Sequence, residues 1–254
     1  MDVVDLLKKH KNAVYRTRNG VLLHGDCLKI MPRIPDGSAD LVLADPPYNA
    51  GQEFANDRMT AAKYKDFMRR WIQQAYRVLA PADSSFYMFH FNQGMWDVKP
   101  ILDAHPWRFL NLIIWHYPNM MPSNKRNMQR WPLSYQVIFY YAKKFRRDMI
   151  GDAYKAGDHE RKDVWIKTAA QSNFQNNKRW HASSKPASII KKILLANTRE
   201  GDLVVDPFAG ASTVAVVCEQ LHRRWIAIEK MDKWCKVSIK RLRTEGYSAK
   251  HRFF

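Results

Sequence analysis

The chain has 254 residues, 46% of them hydrophobic, enough for one large α/β domain or two small ones around a buried core. Its net charge of +18 is segregated: residues 119–182 hold thirteen basic against five acidic side chains and 222–254 ten against three, while 21–118 and 183–221 balance to zero. An evenly solvated surface would not divide charge this way, so a polyanion is the expected partner, with lysines and arginines displacing counterions from phosphates. The three cysteines, Cys27, Cys218 and Cys235, have no metal or redox spacing, no metal is expected, and their sparseness suits a reducing cytosol. No apolar run approaches membrane-spanning length, and Asp2, Asp5, Lys8 and Lys9 are unlike a signal peptide, so a soluble cytoplasmic protein with no membrane partner is expected.

Residues 1–13 read as a short polar helix or arm. Val21–His24 reads as a strand ending at Gly25-Asp26-Cys27, followed by a short helix from Leu28 to Ile34 and a turn at Pro35-Asp36-Gly37-Ser38. Leu41–Ala44 is a continuous apolar run, as expected of a strand covered on both faces. After a polar stretch, Asn49 to Met59, Thr60 can cap a helix whose Tyr64, Phe67, Met68, Trp71, Ile72, Ala75, Val78 and Leu79 keep helical spacing until Pro81. Ser85–Phe91 and Phe109–His116 are strands with a helix near Met95–Ala104 between them, and Val137–Tyr141 is another strand. Residues 143–182 show no clear period. Trp165, Phe174 and Trp180 are interleaved there with basic groups, which suits contact with phosphates and base edges. Lys185-Pro186 opens a helix with proline at its first position and Ile189, Ile190, Ile193 and Leu194 on its buried side. Leu203–Asp206 is a strand, a tight turn leads into a helix from Val214 to about Leu221, Trp225–Ile228 is a strand, and Asp232 starts a last helix to about Glu245. This alternation predicts a doubly wound, mainly parallel sheet.

Two strand ends carry chemistry. Asp45-Pro46-Pro47-Tyr48 closes the Leu41–Ala44 run with a carboxylate, two prolines that remove backbone donors, and a ring. Acceptors beside a stacking surface suit a planar amine such as a nucleobase. Asp206-Pro207-Phe208-Ala209-Gly210-Ala211-Ser212-Thr213, with the later strand ending in Glu229, has the form of a nucleoside half-site. Gly210 is the only glycine of this turn, so the dinucleotide spacing is missing, and so is the Gly-Lys-Ser/Thr of a phosphate-binding loop. A nucleoside cofactor bearing a carboxylate rather than a phosphate chain remains, and S-adenosylmethionine fits.

Together these residues resemble the S-adenosylmethionine-dependent DNA methyltransferases that modify exocyclic amines, in the permuted (beta-type) group whose catalytic motif precedes the cofactor motif. The resemblance spans nearly the whole chain: Gly25-Asp26-Cys27, Pro35 to Leu41, Asp45 to Asn49, Lys185-Pro186, Asp206 to Gly210, and Arg223 to Glu229. It implies one Rossmann-like domain over residues 1–254, with a seven-stranded sheet holding one antiparallel strand. Val21–His24 would be the third strand, Leu41–Ala44 the fourth, Leu203–Asp206 the first and Trp225–Ile228 the second. Asp45 and the Pro46 carbonyl would hold the target amine, and Tyr48 would stack on a base flipped from double-stranded DNA. Phe208 would line the cofactor, with Gly210, Ser212 and Thr213 at its amino-acid end, Asp206 and Lys185 at its ammonium and carboxylate, Glu229 at the ribose, and Asp26 with Cys27 at the adenine edge. Lys125, Arg126, Arg130, Lys143, Lys144, Arg146, Arg147, Lys178 and Arg179, within or beside the basic insertion 119–182, are the expected nucleic-acid contacts. Family members often pair through the sheet edge, so a homodimer is a further expectation.

The family pattern Phe-x-Gly-Ser-Gly-Thr is changed here, with Ser212 in place of a glycine, which implies weaker cofactor binding. Tyr135-Gln136 stands where the family often has His-Glu, and the lysine common near His116 is missing. Adenine N6 is the expected target because members acting on cytosine N4 more often have Ser at the position of Asp45. Cytosine N4 methylation, RNA methylation and an inactive nucleic-acid-binding module are the alternatives. A module would be expected to have lost Asp45 or Tyr48, and this chain keeps both. The short basic segment leads us to expect a short or relaxed recognition sequence.

Overall fold

Apolar runs without polar alternation need cover on both faces, and the sheet supplies it. The structure, a computed structural model, describes residues 2–49, 59–118, 133–144, 162–167 and 184–246. Its strands are β1 (Ala13–Arg16), β2 (Gly20–His24), β3 (Leu41–Ala44), β4 (Ser85–Phe91), β5 (Arg108–His116), β6 (Tyr135–Ala142), β7 (Val164–Ile166), β8 (Leu203–Asp206) and β9 (Arg224–Glu229). Its helices are α1 (Val3–Lys8), α2 (Cys27–Ile30), α3 (Ala61–Val78), α4 (Met95–Asp103), α5 (Ala187–Asn197), α6 (Thr213–Gln220) and α7 (Asp232–Glu245). Along each central strand the side chains alternate between two cores. Val21, Leu23, Val42, Ala44, Val205 and Ile226 face the core shared with α1 to α4. Leu22, Leu41, Leu43, Val204, Trp225 and Ala227 face the core shared with α5 to α7.

The strand order is β1-β2-β9-β8-β3-β4-β6-β5-β7. From β2 through β4 all pairs are parallel, and β6 runs antiparallel to both β4 and β5. The central run β2-β9-β8-β3-β4-β6-β5 is therefore the expected seven-stranded sheet with one reversed strand, and the first-to-fourth strand assignments hold. Two strands extend it. β1 pairs antiparallel with β2, and β7 pairs parallel with β5, giving nine strands among the described residues. Both are edge strands of three or four residues, too short and too exposed to show a period in sequence.

Other expectations shift by small amounts. Thr60 caps α3, its hydroxyl accepting from the Lys63 amide. The helix expected over Leu28–Ile34 is a four-residue α2 followed by a 3₁₀ turn over Met31–Arg33 that carries Pro32. Pro186 is the cap of α5 rather than its first residue. Trp165, grouped above with nucleic-acid-contacting aromatics, is 7% exposed in the core beneath α5, where its indole donates to the Lys162 carbonyl at 2.9 Å. Phe174 and Trp180 lie outside the described residues. Among the described residues no helix is long and apolar enough to cross a membrane.

From the middle of the sheet the chain winds outward in both directions, β8 to β9 on one side and β3 to β4 on the other. The crevice at the carboxyl ends of β8 and β3 is the point where ligands bind in such sheets. Close packing leaves little slack at the amino-terminal end of these strands, away from the crevice: Gly20, the first residue of β2, is opposite Trp225 in the β2–β9 ladder, and a Cβ on Gly20 would fall inside the indole. Gly20→Ala is expected to lose about 1–3 kcal/mol of stability through overpacking, read by urea denaturation; an unchanged midpoint would show that the indole has room to move.

Candidate active site

Four neighbouring parallel strands end in, or just before, an acid. Asp206 closes β8 and Glu229 closes β9, while Asp45 follows β3 and Asp26 lies two residues beyond β2. At the usual strand spacing these positions span about 14 Å from Asp26 to Asp45. The order Asp26, Glu229, Asp206, Asp45 along the crevice follows directly from the strand order β2-β9-β8-β3.

The Asp45 end is the aromatic one. Pro46 is buried, and Asp45, Pro47 and Tyr48 are half-buried. The Tyr48 hydroxyl donates to Asp45 Oδ1. Burial first, and then the Asp45 charge, raise that hydroxyl well above the ordinary tyrosine range, so it remains a proton donor. Lys185 Nζ lies 2.7 Å from Asp45 Oδ2 and is itself only 8% exposed. The same ammonium stands 5.5 Å from the Tyr48 ring centre and 5.3 Å from that of Phe89, within cation–π reach of both. Lys185, expected at a cofactor carboxylate, is thus bonded to Asp45. Tyr48 also packs against His90 and Phe91, with ring centres 5.0 and 5.8 Å away. Asn49 follows with φ of 56°, and its side-chain amide donates to the Met59 carbonyl at 2.9 Å and accepts from the Met59 amide at 2.6 Å. It clasps the two ends of the intervening segment as a strand pair would.

The Asp206 end is built from backbone amides and buried acids. Asp206 is 4% exposed and accepts from the Phe208 amide at 3.0 Å. Burial pushes its carboxyl up to about 8, the nearby charges of Asp45 and Glu229 push the same way, and the Phe208 amide opposes them. Glu229 accepts from the Gly210 amide at 2.8 Å and the Met231 amide at 2.7 Å, although burial still raises its pKa. Phe208 presents its ring edge-on to Phe67 and Trp71 of α3. Gly210 has φ of 51°, and a Cβ there would meet nothing within 4 Å, so the turn borders open space. Ser212 is fully buried at φ of 54°, and its hydroxyl has no hydrogen-bond partner among the described residues. The Thr213 hydroxyl is taken from below, accepting from Arg241 of α7 at 2.8 Å rather than facing the crevice. Asp26 caps α2 through the Leu28 amide at 2.9 Å and pairs with Lys230 at 3.0 Å. Cys27 is buried, its thiol pushed up to about 12 by burial and then by Asp26, so its side chain is an inert part of the core.

Several contributors had no motif to announce them. His90 and Phe91 end β4 at the same edge, and the rule that strand ends carry function could have picked them out. Ser238 and Arg241 of α7 hold the Gly210 and Ala211 carbonyls from beneath, at 2.7 and 3.2 Å. Their buried polar side chains sit within an otherwise ordinary amphipathic helix. Of the expected nucleic-acid contacts, Lys125, Arg126, Arg130, Arg146, Arg147, Lys178 and Arg179 lie outside the described residues. Lys143 and Lys144 are not brought to this edge. Because β6 runs backwards, they emerge beside Ser85, where β4 begins, and Lys143 donates to the Leu79 carbonyl at 2.7 Å over the Tyr76 ring.

A mainly parallel sheet with acids at its switch point has the form of the doubly wound sheets that bind nucleosides, and comparison with known proteins gives the family. Residues 39–240 match the N6_N4_Mtase family model, described as DNA methylase, and the chain belongs to this family of DNA N4/N6 methyltransferases. It is 28% identical to the type II methyltransferase M2.LlaDCHI of Lactococcus lactis subsp. cremoris, over 90% of this chain and 91% of that one. It is likewise 28% identical to M2.DpnII of Streptococcus pneumoniae, over 91% and 92% of the two chains. In fold it is similar to the cytosine-N4-specific PvuII DNA methyltransferase, with a TM-score of 0.77 at 21% identity over 91% of this chain and 89% of that one. M1.HpyAVI in complex with S-adenosylmethionine superposes with a TM-score of 0.64 at 20% identity, over 87% and 98%. S-adenosylmethionine is the methyl donor and DNA the substrate. The local fit agrees: open space at Gly210, an unpartnered buried Ser212 hydroxyl and a buried acid at Asp206 suit a cationic amino-acid nucleoside.

The left-handed backbone at Ser212 is costly for a residue with a Cβ, and its buried hydroxyl has no partner among the described residues. Ser212→Gly is therefore expected to raise the stability of the cofactor-free protein by about 1 kcal/mol in urea denaturation; a loss of stability would overturn this account of the turn.

Proposed function

We propose that the protein transfers a methyl group from S-adenosylmethionine to the N6 amine of an adenine flipped out of duplex DNA. The observation that carries this reading is the juxtaposition of Asp45 and Tyr48 at the end of β3 with Asp206 at the end of the adjacent β8. Bound S-adenosylmethionine supplies an electrophilic sulfonium methyl. Asp206 would pair with the cofactor's ammonium, Glu229 would accept from its ribose hydroxyls, and Asp26 would lie at the adenine end. The Asp45 carboxylate and the Pro46 carbonyl accept the two hydrogens of the target amine, which turns the nitrogen lone pair toward the methyl. Two of the roughly four acceptor positions of Asp45 are used by Tyr48 and Lys185, so capacity for an amine hydrogen remains. As the nitrogen becomes positive, Asp45 stabilises it and is placed to take its proton. Positioning and a preorganised charge account for the catalysis, with no covalent intermediate on the protein. Tyr48 offers its ring to the extruded base.

The specific reading favouring adenine is Asp45 itself, since the resemblance puts Ser there in members acting on cytosine. Cytosine N4 is the second reading, and the fold likeness to the PvuII enzyme keeps it in view. Incubation with labelled S-adenosylmethionine and plasmid DNA, followed by nucleoside mass spectrometry, separates them: N6-methyladenine is expected, and N4-methylcytosine would replace it as the conclusion. Sequencing of the product is expected to show a short or relaxed site, and one long, strict site would overturn that expectation.

Asp45→Ala is expected to lower methyl transfer by at least about 100-fold, the scale of losing one preorganised charge-stabilising group, while DNA binding in gel shifts persists. Methyl incorporation at the wild-type rate would refute the role of Asp45. Cofactor affinity should also depend on pH through Asp206. Its carboxyl is held up to about 8 in the free protein, and an ammonium partner favours the ionised form, so binding lowers that pKa and releases a proton. Affinity is expected to rise by up to about tenfold per pH unit between about pH 6 and 7, and to turn over near pH 8, where the cofactor's own α-amino group begins to lose its proton. Calorimetry in buffers of different ionisation enthalpy reads both effects; an affinity flat across this range, or unchanged pH dependence in Asp206→Asn, would remove Asp206 from the ammonium site.

A further inference from the structure

Tyr48 can present a base with a defined plane only if its own ring is held, and the group behind it is His90. His90 is the next-to-last residue of β4 and is fully buried. Its ring centre lies 5.0 Å from that of Tyr48 at an interplanar angle of 39°, and 5.1 Å from Phe91 at 20°. A carbonyl can only accept, so Nδ1, 3.1 Å from the Phe91 oxygen, carries the proton and donates it. Nε2 is left to accept from the Tyr64 hydroxyl of α3 at 2.9 Å. Both nitrogens are committed, and the imidazole cannot turn without breaking a buried hydrogen bond. Its edge lies close against the Gly94 backbone at the start of α4, where a Cβ would come within 2.3 Å of Cε1.

Burial holds the His90 pKa down to about 4, with Asp45, Asp97 and Lys185 as the charges that face it, so the ring is neutral under working conditions. A neutral ring adds no further positive charge beside the Lys185 ammonium, where the amine nitrogen becomes positive. An imidazole in this space costs more desolvation than a phenyl ring of similar size. A phenyl ring would pack as well, but packing alone would hold its plane, without the two directional anchors. The hydrogen bonds fit a demand for orientation rather than for volume.

We propose that His90, locked by Tyr64 and by the Phe91 carbonyl, is a positioning residue that sets the plane of Tyr48 for the extruded base. It acts through Tyr48, and it rests on the reading of Tyr48 as the stacking residue. The experiment compares wild type with Tyr64→Phe, which removes one anchor and keeps the ring, with the double variant His90→Phe/Tyr64→Phe, which keeps volume and removes both, and with Tyr48→Ala. Methyl transfer is followed on plasmid DNA, and 2-aminopurine emission on a duplex carrying the mapped site with the probe at the target base. For Tyr64→Phe and the double variant the turnover number should fall about tenfold, with S-adenosylmethionine affinity unchanged. Probe emission should rise, because an extruded base stacks less completely on a loosened Tyr48. Wild-type turnover and emission in both, with only a lower melting temperature, would reduce His90 to a core residue and overturn the proposal. Tyr48→Ala tests the underlying reading separately. If it leaves turnover and emission unchanged, Tyr48 does not stack on the base and both readings fall; if it abolishes turnover while the other variants stay at wild type, only the positioning role falls.

Discussion

The site depends on keeping four carboxyl groups within a few strand spacings of one another at an edge shielded from water. Like charges that close repel, and each would also lose hydration on burial. The protein relieves each one differently. Asp26 is partly exposed and pairs with Lys230 and a helix-end amide. Glu229 is satisfied by two backbone amides of the turns beside it. Asp45 has an ammonium and a phenol. Asp206 has one amide among the described residues and remains protonated well above the ordinary range. The least compensated acid, Asp206, is the one whose ionisation a cationic partner would favour most.

The two ends of the crevice are made rigid by opposite means. At Asp206 to Thr213 the backbone itself forms the cradle, and α7 props it through Ser238 and Arg241, whose buried polar groups take up the turn's carbonyls and the Thr213 hydroxyl. At Asp45 to Tyr48 the side chains form the surface, and rings from β4 hold it: His90 and Phe91 behind Tyr48, with Phe89 beneath the Lys185 ammonium. A flexible amino-acid ligand suits a fixed cradle of amides. A flat base suits a fixed ring.

The parts legible in the amino-acid order are those set by local pattern. Leu41–Ala44 and Leu203–Asp206 read as buried strands because three or four apolar residues in a row need cover on both faces, and both are strands with those bounds. α3 reads as a helix because its apolar stripe and its Thr60 cap are both local signals. Once those ends are known, Asp45 and Asp206 follow as their last or next residues. β1 and β7 were not legible, since a strand of three or four residues at an edge gains its stability from the neighbour it pairs with rather than from its own composition. Trp165 was misread for the same reason: an aromatic among lysines looks like a contact surface until the neighbouring strand places it under α5.

By itself the sequence determined which residues end strands and carry acids, and hence the chemistry available, because hydrophobic patterning fixes where a strand stops. Tertiary structure alone decided which charge meets which. Lys185 reaches Asp45 across 140 positions because α5 returns to the β3 edge, and Lys143 is carried to the far end because β6 runs against its neighbours. His90 became a support for Tyr48 only when β4 paired beside β3. Strand order and direction are long-range properties, and no window of sequence contains them.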